Sequence, residues 1–515
     1  MTHDRMGWSA KGRLMAQNAR LDRRETILDV LEVPLIGRAL RTPRGRLLLQ
    51  IPLFIIAVLI IYDGFTGSQL GSRNLATTLP WVHYRGLVVL VLLVAGNLFC
   101  MGCPFTLPRT LARRWSRSGR RWPRALRNKW VAVAGLLVFF WAYEAFGIWA
   151  SPLLTAWVAL AYFGASFALE MVFTESAFCK YVCPLGAFNF AYSTVSPLQI
   201  QVKQPGICAT CVGKECVNGS YSPQPIILVD QIGIDGQPTS QHLHNATGVL
   251  GCGTLLYAPQ IKSNMDCTMC LDCVRACPHD NVALAVRSPL RELRDLSAWP
   301  KRWDLGFLVV ALTFMGLANA FGMIPPVYAL LTAVSGLTGI TSAPVLLAGF
   351  FAVTCLAAPA LVGIGAAFAS IRLSGTHKAQ ALRLTFTSFA PAFVPLGLGI
   401  WIAHYMFHFL SGALTVIPVF QGFLLDHGIR VLGEPAYGLA VSAPTPVIAW
   451  VQIIALFGGF TIATLSAQRI AFKLYRKREA AFAAWIPWAI VFLALSLFAF
   501  WIFSQPMEMR GAFLS

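Results

Sequence analysis

Nine runs of apolar residues, set on either side of one long polar stretch, dominate the hydropathy pattern of this chain. Four runs lie near 47–65, 86–103, 131–149 and 152–173. A largely polar segment follows at about 197–303, and five more runs lie near 305–325, 343–369, 386–409, 445–466 and 484–504. A helix of about 20 apolar residues is long enough to cross the hydrocarbon core of a bilayer. The pattern therefore predicts a polytopic α-helical membrane protein with about nine spanning helices and a polar insert. The run "PPVYALLTAVSGLTG" (Pro325–Gly339) is shorter and reads as a re-entrant or interfacial piece. Four regions result: a basic tail at 1–46, a membrane domain at 47–196, a polar domain at 197–303 and a second membrane domain at 304–515.

Composition agrees with the pattern: of 515 residues, 56% are hydrophobic and 12% charged, and the mean hydropathy is +0.62. The net charge of +19 raises the question of nucleic-acid binding. The basic residues crowd instead into the first 46 residues, Arg109–Lys129 and "AQRIAFKLYRKR" (Ala467–Arg478), all flanking apolar runs. That is the positive-inside bias of membrane proteins, and no nucleic-acid partner is expected. One alternation satisfies every loop. The tail, Arg109–Lys129, the polar domain with Arg287, Arg291, Arg294, Lys301 and Arg302, and the loops at 372–383 and 469–478 lie inside. The loops at 63–85 and 411–443 lie outside, and the C-terminus is extracytoplasmic. The N-terminus lacks a short apolar core with a small-residue cleavage site, so it reads as a cytoplasmic tail.

The 13 cysteines are clustered, and in a chain whose polar domain faces a reducing compartment that favours metal ligation over disulfides. "CTMCLDCVRACP" places Cys267, Cys270, Cys273 and Cys277 in the C-x2-C-x2-C-x3-C-P spacing of bacterial ferredoxins. Three cysteines at that spacing wrap one face of a cubane, and the fourth points to a neighbouring cluster. A zinc knuckle would show two CxxC pairs and no terminal Cys-Pro. Upstream, "CATCVGKECV" supplies Cys208, Cys211 and Cys216 at an irregular C-x2-C-x4-C spacing, and Cys252 follows in "LGCGTLL". Eight sulfurs serve two [4Fe-4S] clusters. With the fourth cysteines crossing over, Cys208, Cys211, Cys216 and Cys277 take one cluster, and Cys267, Cys270, Cys273 and Cys252 the other. The alternative for Cys252 is a small buried residue, with another ligand completing the second cluster. The expected fold of 197–303 is thus a two-cluster ferredoxin-like α+β domain. It carries an insertion, "PQPIILVDQIGIDGQPTSQHLHNATG", that reads as a hairpin with loop histidines His242 and His244.

Two motifs at the ends of apolar runs resemble each other: "CMGCPF" (Cys100, Cys103, Pro104) and "CKYVCPLGAF" (Cys179, Cys183, Pro184). Spacings of three and four put both sulfurs on one helix face, and the following proline ends or bends the helix. Four converging thiols would offer a further metal or cluster site at the membrane face. The bland alternative is cysteine as small apolar filler. Membrane Cys-Pro motifs followed by a ferredoxin-like domain resemble the bacterial membrane polyferredoxin family. That family includes the quinol-dehydrogenase subunit of periplasmic nitrate reduction, the nitrous-oxide reductase support protein and the cbb-type oxidase accessory protein. The likeness covers roughly residues 86–285. It implies two [4Fe-4S] clusters, electron transfer at the cytoplasmic face of a bacterial inner membrane, and a quinone or quinol and a redox protein as partners. The chain departs from the family pattern in its irregular first ferredoxin motif and in CxxC where CxxxC is expected at the first membrane motif.

Beyond the resemblance, "WIAHYMFHFLSG" sets His404 and His408 four apart on one helix face, and His83 in "WVHYRG" falls at the same expected depth. Ionisable groups at membrane depth are candidate functional sites. Here the options are haem b ligation, another metal, quinol proton acceptance or contact with an outer partner, against interfacial anchoring. A pair four apart on one helix cannot supply both axial ligands of one haem. Glu144 and Glu170 read as proton relays or satisfied structural pairs, and Cys355 as packing. No catalytic triad or phosphate loop is present. The expectation is an electron-transfer subunit of a quinol-linked oxidoreductase, with a copper-reducing or cofactor-assembly factor and a non-catalytic membrane anchor as alternatives.

Overall fold

Nine apolar helices account for the nine runs. In the computed structural model, which describes residues 27–107, 120–173, 175–220, 249–295, 298–375 and 381–507, they are α1 (Gly45–Thr66), α2 (Leu75–Ala95), α3 (Trp130–Ala145), α4 (Pro152–Val172), α5 (Trp303–Phe321), α6 (Ala343–Leu373), α7 (Ala381–Gly412), α8 (Thr445–Leu474) and α9 (Arg478–Ser504). All but α3 are long and apolar enough to cross a membrane, which gives eight candidate spans among the described residues. The helix expected over 131–149 stops at Ala145, where Gly147 takes a left-handed conformation (φ +54°). Pro325–Gly339 contains the short apolar helix Pro326–Thr338. The insertion carrying His242, His244 and the Asn245–Thr247 sequon lies outside the described residues.

Contacts divide the chain into two units. One comprises Met1–Leu47, Leu198–Ile261 and Met269–Ser288; the other comprises Leu48–Pro197, Lys262–Thr268 and Pro289–Ser515. The second unit holds the apolar helices. In α7 and α5, 94% and 89% of the most apolar window is buried, against 17% in α6, so α7 and α5 form the centre and the others turn apolar surface outward. Apolar faces directed away from the core are what a lipid-facing helix carries. α7 and α8 cross closely: a Cβ added at Gly399 would stand 2.4 Å from the carbonyl oxygen of Ala455, and one at Gly459 would stand 2.8 Å from that of Pro395. Small residues at such crossings let membrane helices pack backbone to backbone.

The first unit is built on a two-stranded antiparallel sheet, β1 (Leu198–Val202) with β2 (Val282–Val286), in which Ile200 faces Leu284. The end of the expected tail belongs to this unit. The Asp29 carboxylate accepts hydrogen bonds from the backbone N–H groups of Leu31 (3.0 Å) and Leu284 (3.1 Å) and pairs with Lys203 (3.5 Å). An aspartate bonded this way pins residues just past 27 to β2, so the basic tail of the sequence reading is partly sheet-bound.

Candidate functional site

The best-formed site lies within the first unit. Cys208 sits on the short helix Pro205–Thr210, Cys211 closes that helix, Cys216 lies on Glu215–Asn218, and Cys277 follows Asp272–Ala276. These four thiols line one pocket, together with Ile207, Glu215, Tyr257, Pro278 and Asn281. They are the four assigned to one cluster on the crossing rule. Asn281 was not singled out in the sequence, although it stands four residues beyond Cys277. Its side-chain amide donates to the Cys208 sulfur (3.2 Å) and its backbone N–H to the Cys277 sulfur (3.4 Å). The Tyr257 hydroxyl donates to the Cys208 carbonyl (3.0 Å). Burial raises the thiols of Cys208 and Cys211 above their usual range and pushes Cys216 up to about 11. Neighbouring sulfurs, Cys277 among them, add to the shift, while Asn281 opposes it at Cys208.

The loop "CTMCLDC" has its own signature. Met269 (φ +51°) and Leu271 (φ +59°) are both left-handed although neither is glycine, and they flank Cys270. Alternating right- and left-handed residues turn successive backbone N–H groups toward one concavity, a nest that suits anionic groups, iron–sulfur clusters included. Cys270 and Cys273 are buried. Cys252 accepts a hydrogen bond at sulfur from Leu256 N–H (3.3 Å), and its own N–H donates to the Cys216 carbonyl (3.0 Å). Cys267 belongs to the 262–268 segment of the second unit. There its carbonyl accepts from the Asn97 side chain (2.6 Å), and the preceding Asp266 pairs with buried Lys129.

The membrane cysteines lie where the local structure departs from regular helix. Gly96 (φ +62°, ψ −134°) breaks the chain after α2, so Cys100 and Cys103 sit on the separate short helix Leu98–Gly102 and its end, and not on α2 itself. A φ, ψ pair of that kind is close to exclusive to glycine. Cys179 lies in a π-helical turn, Phe178–Val182, and Cys183 caps the helix Pro184–Tyr192 by accepting from Gly186 N–H (3.2 Å). The two pairs do approach each other. Cys179 is within electrostatic reach of Cys183, Cys103 and Cys100, and also of buried Glu170. Asn189 donates to the Cys100 sulfur (3.5 Å). Among the described residues, however, no three His, Cys, Asp or Glu side chains are gathered tightly enough to hold one metal ion.

The histidines separate. His83 directs Nδ1 to the Thr78 carbonyl (3.1 Å) and Nε2 to the Ala413 carbonyl (2.9 Å). His404 and His408 instead direct their Nε2 atoms at each other (3.3 Å), and His404 Nε2 also meets Met323 Sδ (3.1 Å). Cys355 is fully buried in the apolar core, and Glu144 is reached by the Asn319 side chain (3.5 Å). Compared with known proteins, the chain matches no protein-family model, no curated protein and no solved structure.

Proposed function

We propose that this chain is a membrane-bound iron–sulfur electron carrier, moving single electrons between a quinol pool or a cytoplasmic donor and a redox partner protein. One observation carries the reading: Cys208, Cys211, Cys216 and Cys277, from two motifs far apart in sequence, line a single pocket. A cubane spreads its four thiolate ligands around itself, and four thiols lining one pocket suit that arrangement. Asn281 supplies two donors to the sulfurs, which is how a protein tunes such a group. The left-handed Met269 and Leu271 support a second cluster on the "CTMCLDC" loop. When bound, the clusters accept and release one electron at a time. The protein's part is to hold the thiolates, exclude water and set the potential. The basic loops favour a cytoplasmic placement of the cysteine-rich segment and an extracytoplasmic C-terminus, in a bacterial inner membrane, and the likeness to membrane polyferredoxins agrees.

Anaerobic purification with iron and sulfide counts and redox-titrated electron paramagnetic resonance tests this. Roughly eight irons per chain, reducible by a quinol or a low-potential donor, is the expected result. Clusters that neither donor reduces would leave an anchor. Iron-free protein carrying copper in proportion to Cys100, Cys103, Cys179 and Cys183 would leave an assembly factor.

A further inference from the structure

α7 places His404 and His408 one turn apart, and the turn that follows α5 brings Met323 against His404. All three are buried: Met323 is 1% exposed, His404 0% and His408 4%. A single ring nitrogen, His404 Nε2, faces both a thioether sulfur and a second ring nitrogen. With its proton it can donate to one of them, and without it accept from His408 alone, so hydrogen bonding does not serve both contacts well. An ion shared by His404 Nε2 and its two neighbours would serve both. Ligands bonded to one ion at about 2.0–2.3 Å in tetrahedral directions stand roughly 3.3–3.6 Å apart, and His404 Nε2 stands 3.3 Å from His408 Nε2 and 3.1 Å from Met323 Sδ. Methionine's unbranched side chain moves easily over the remaining fraction of an ångström.

We infer that His404, His408 and Met323 form a binding site for a cuprous ion. The ligand types select it, since a thioether with imidazoles suits soft copper(I). Haem does not fit, because axial ligands stand on opposite sides of the macrocycle and these atoms touch. The buried guanidinium of Arg85, on α2, is itself stacked on the rings of Trp81, Tyr143 and Tyr405. This site is independent of the cysteine clusters and of the electron-carrier reading.

The test uses full-length, selenomethionine-labelled protein in detergent, loaded anaerobically with copper(I) presented as its bicinchoninate complex. Copper-edge X-ray absorption should show a copper–selenium path, which cysteine-bound copper cannot produce. Met323→Leu, close in volume, should abolish that path and lower bound copper by one ion per chain. His408→Gln should weaken retention against bicinchoninate more than tenfold. Absence of copper–selenium scattering in the unsubstituted protein, or its persistence in Met323→Leu, overturns the assignment.

Discussion

Cys277 and Asn281 carry the sharpest expectations at the level of single side chains. Cys277→Ser removes one of four thiols from the pocket shared with Cys208, Cys211 and Cys216, and iron should fall from roughly eight to about four per chain. Asn281→Leu keeps the thiols but withdraws the amide donor 3.2 Å from the Cys208 sulfur. Hydrogen bonds to sulfur stabilise the more negative, reduced state, so one cluster's midpoint should move to lower potential in a redox titration while iron content holds. The raised thiols make a third expectation. Cys216 rises from 9.0 to about 11. In the iron-free protein its neutral form therefore favours folding fully below pH 9, and that contribution is lost as pH climbs toward 11. Denaturant midpoints of the iron-free protein should drop across that window, whereas ligated thiolates carry no proton to lose and the loaded protein should show no such drop. The cysteines of this site were legible because spacing encodes them. Asn281 was not, since an asparagine four residues past a motif has no pattern of its own until β2 returns it to the pocket.

Helices show the same division between what patterning records and what it omits. Among the described residues, run length located the eight candidate spans and α3, because sustained hydrophobicity is a property of many residues at once, but it passed over the short apolar helix Val416–Asp426 in the 411–443 loop. It misplaced the chemistry within them. The run over 86–103 looked like one helix ending in two cysteines, yet Gly96 ends α2 and hands Cys100 and Cys103 to a separate short helix. Met323 escaped notice for a related reason: it lies in a turn, and only the packing of α5 against α7 sets it beside His404. Close crossings are likewise invisible in a hydropathy pattern, since Gly399 and Gly459 read as two glycines among many. A Cβ at Gly399 would meet backbone at 2.4 Å, and backbone does not yield as a side chain does. Gly399→Ala should cost about 1–3 kcal/mol, seen as a lower thermal midpoint in detergent, whereas Gly458→Ala, where nothing lies within 4 Å, should leave the midpoint unmoved.

At the scale of the whole molecule, the number of crossings decides on which side residue 507 lies relative to residue 45, and α3 decides that number. Among the described residues eight helices qualify as candidate spans on length, an even number that would put both on one side. α3, with 16 residues, falls short of the usual ~20. Its partner gives the better measure. At the start of α3 the Lys129 N–H donates to Asp304 at the start of α5 (2.8 Å), and near the end of α3 Glu144 is reached by Asn319 near the end of α5 (3.5 Å). The two helices therefore run side by side in the same direction over matching lengths, and α5 is a candidate span. The six residues from Phe146 to Ser151 then lead directly into α4, another candidate span. A hydrophobic helix slightly shorter than the bilayer is accommodated by local thinning at modest cost. If α3 crosses with α5, the described residues make nine crossings, and with the cytoplasmic placement of the basic loops proposed above residue 507 is expected outside. Alkaline phosphatase fused after residue 507 should be active and a green fluorescent protein fused there dark. The same reporters placed after residue 149 should agree with those at 507. The reverse result at both positions would mean either that α3 lies within one leaflet or that the basic loops do not set the orientation assigned to them.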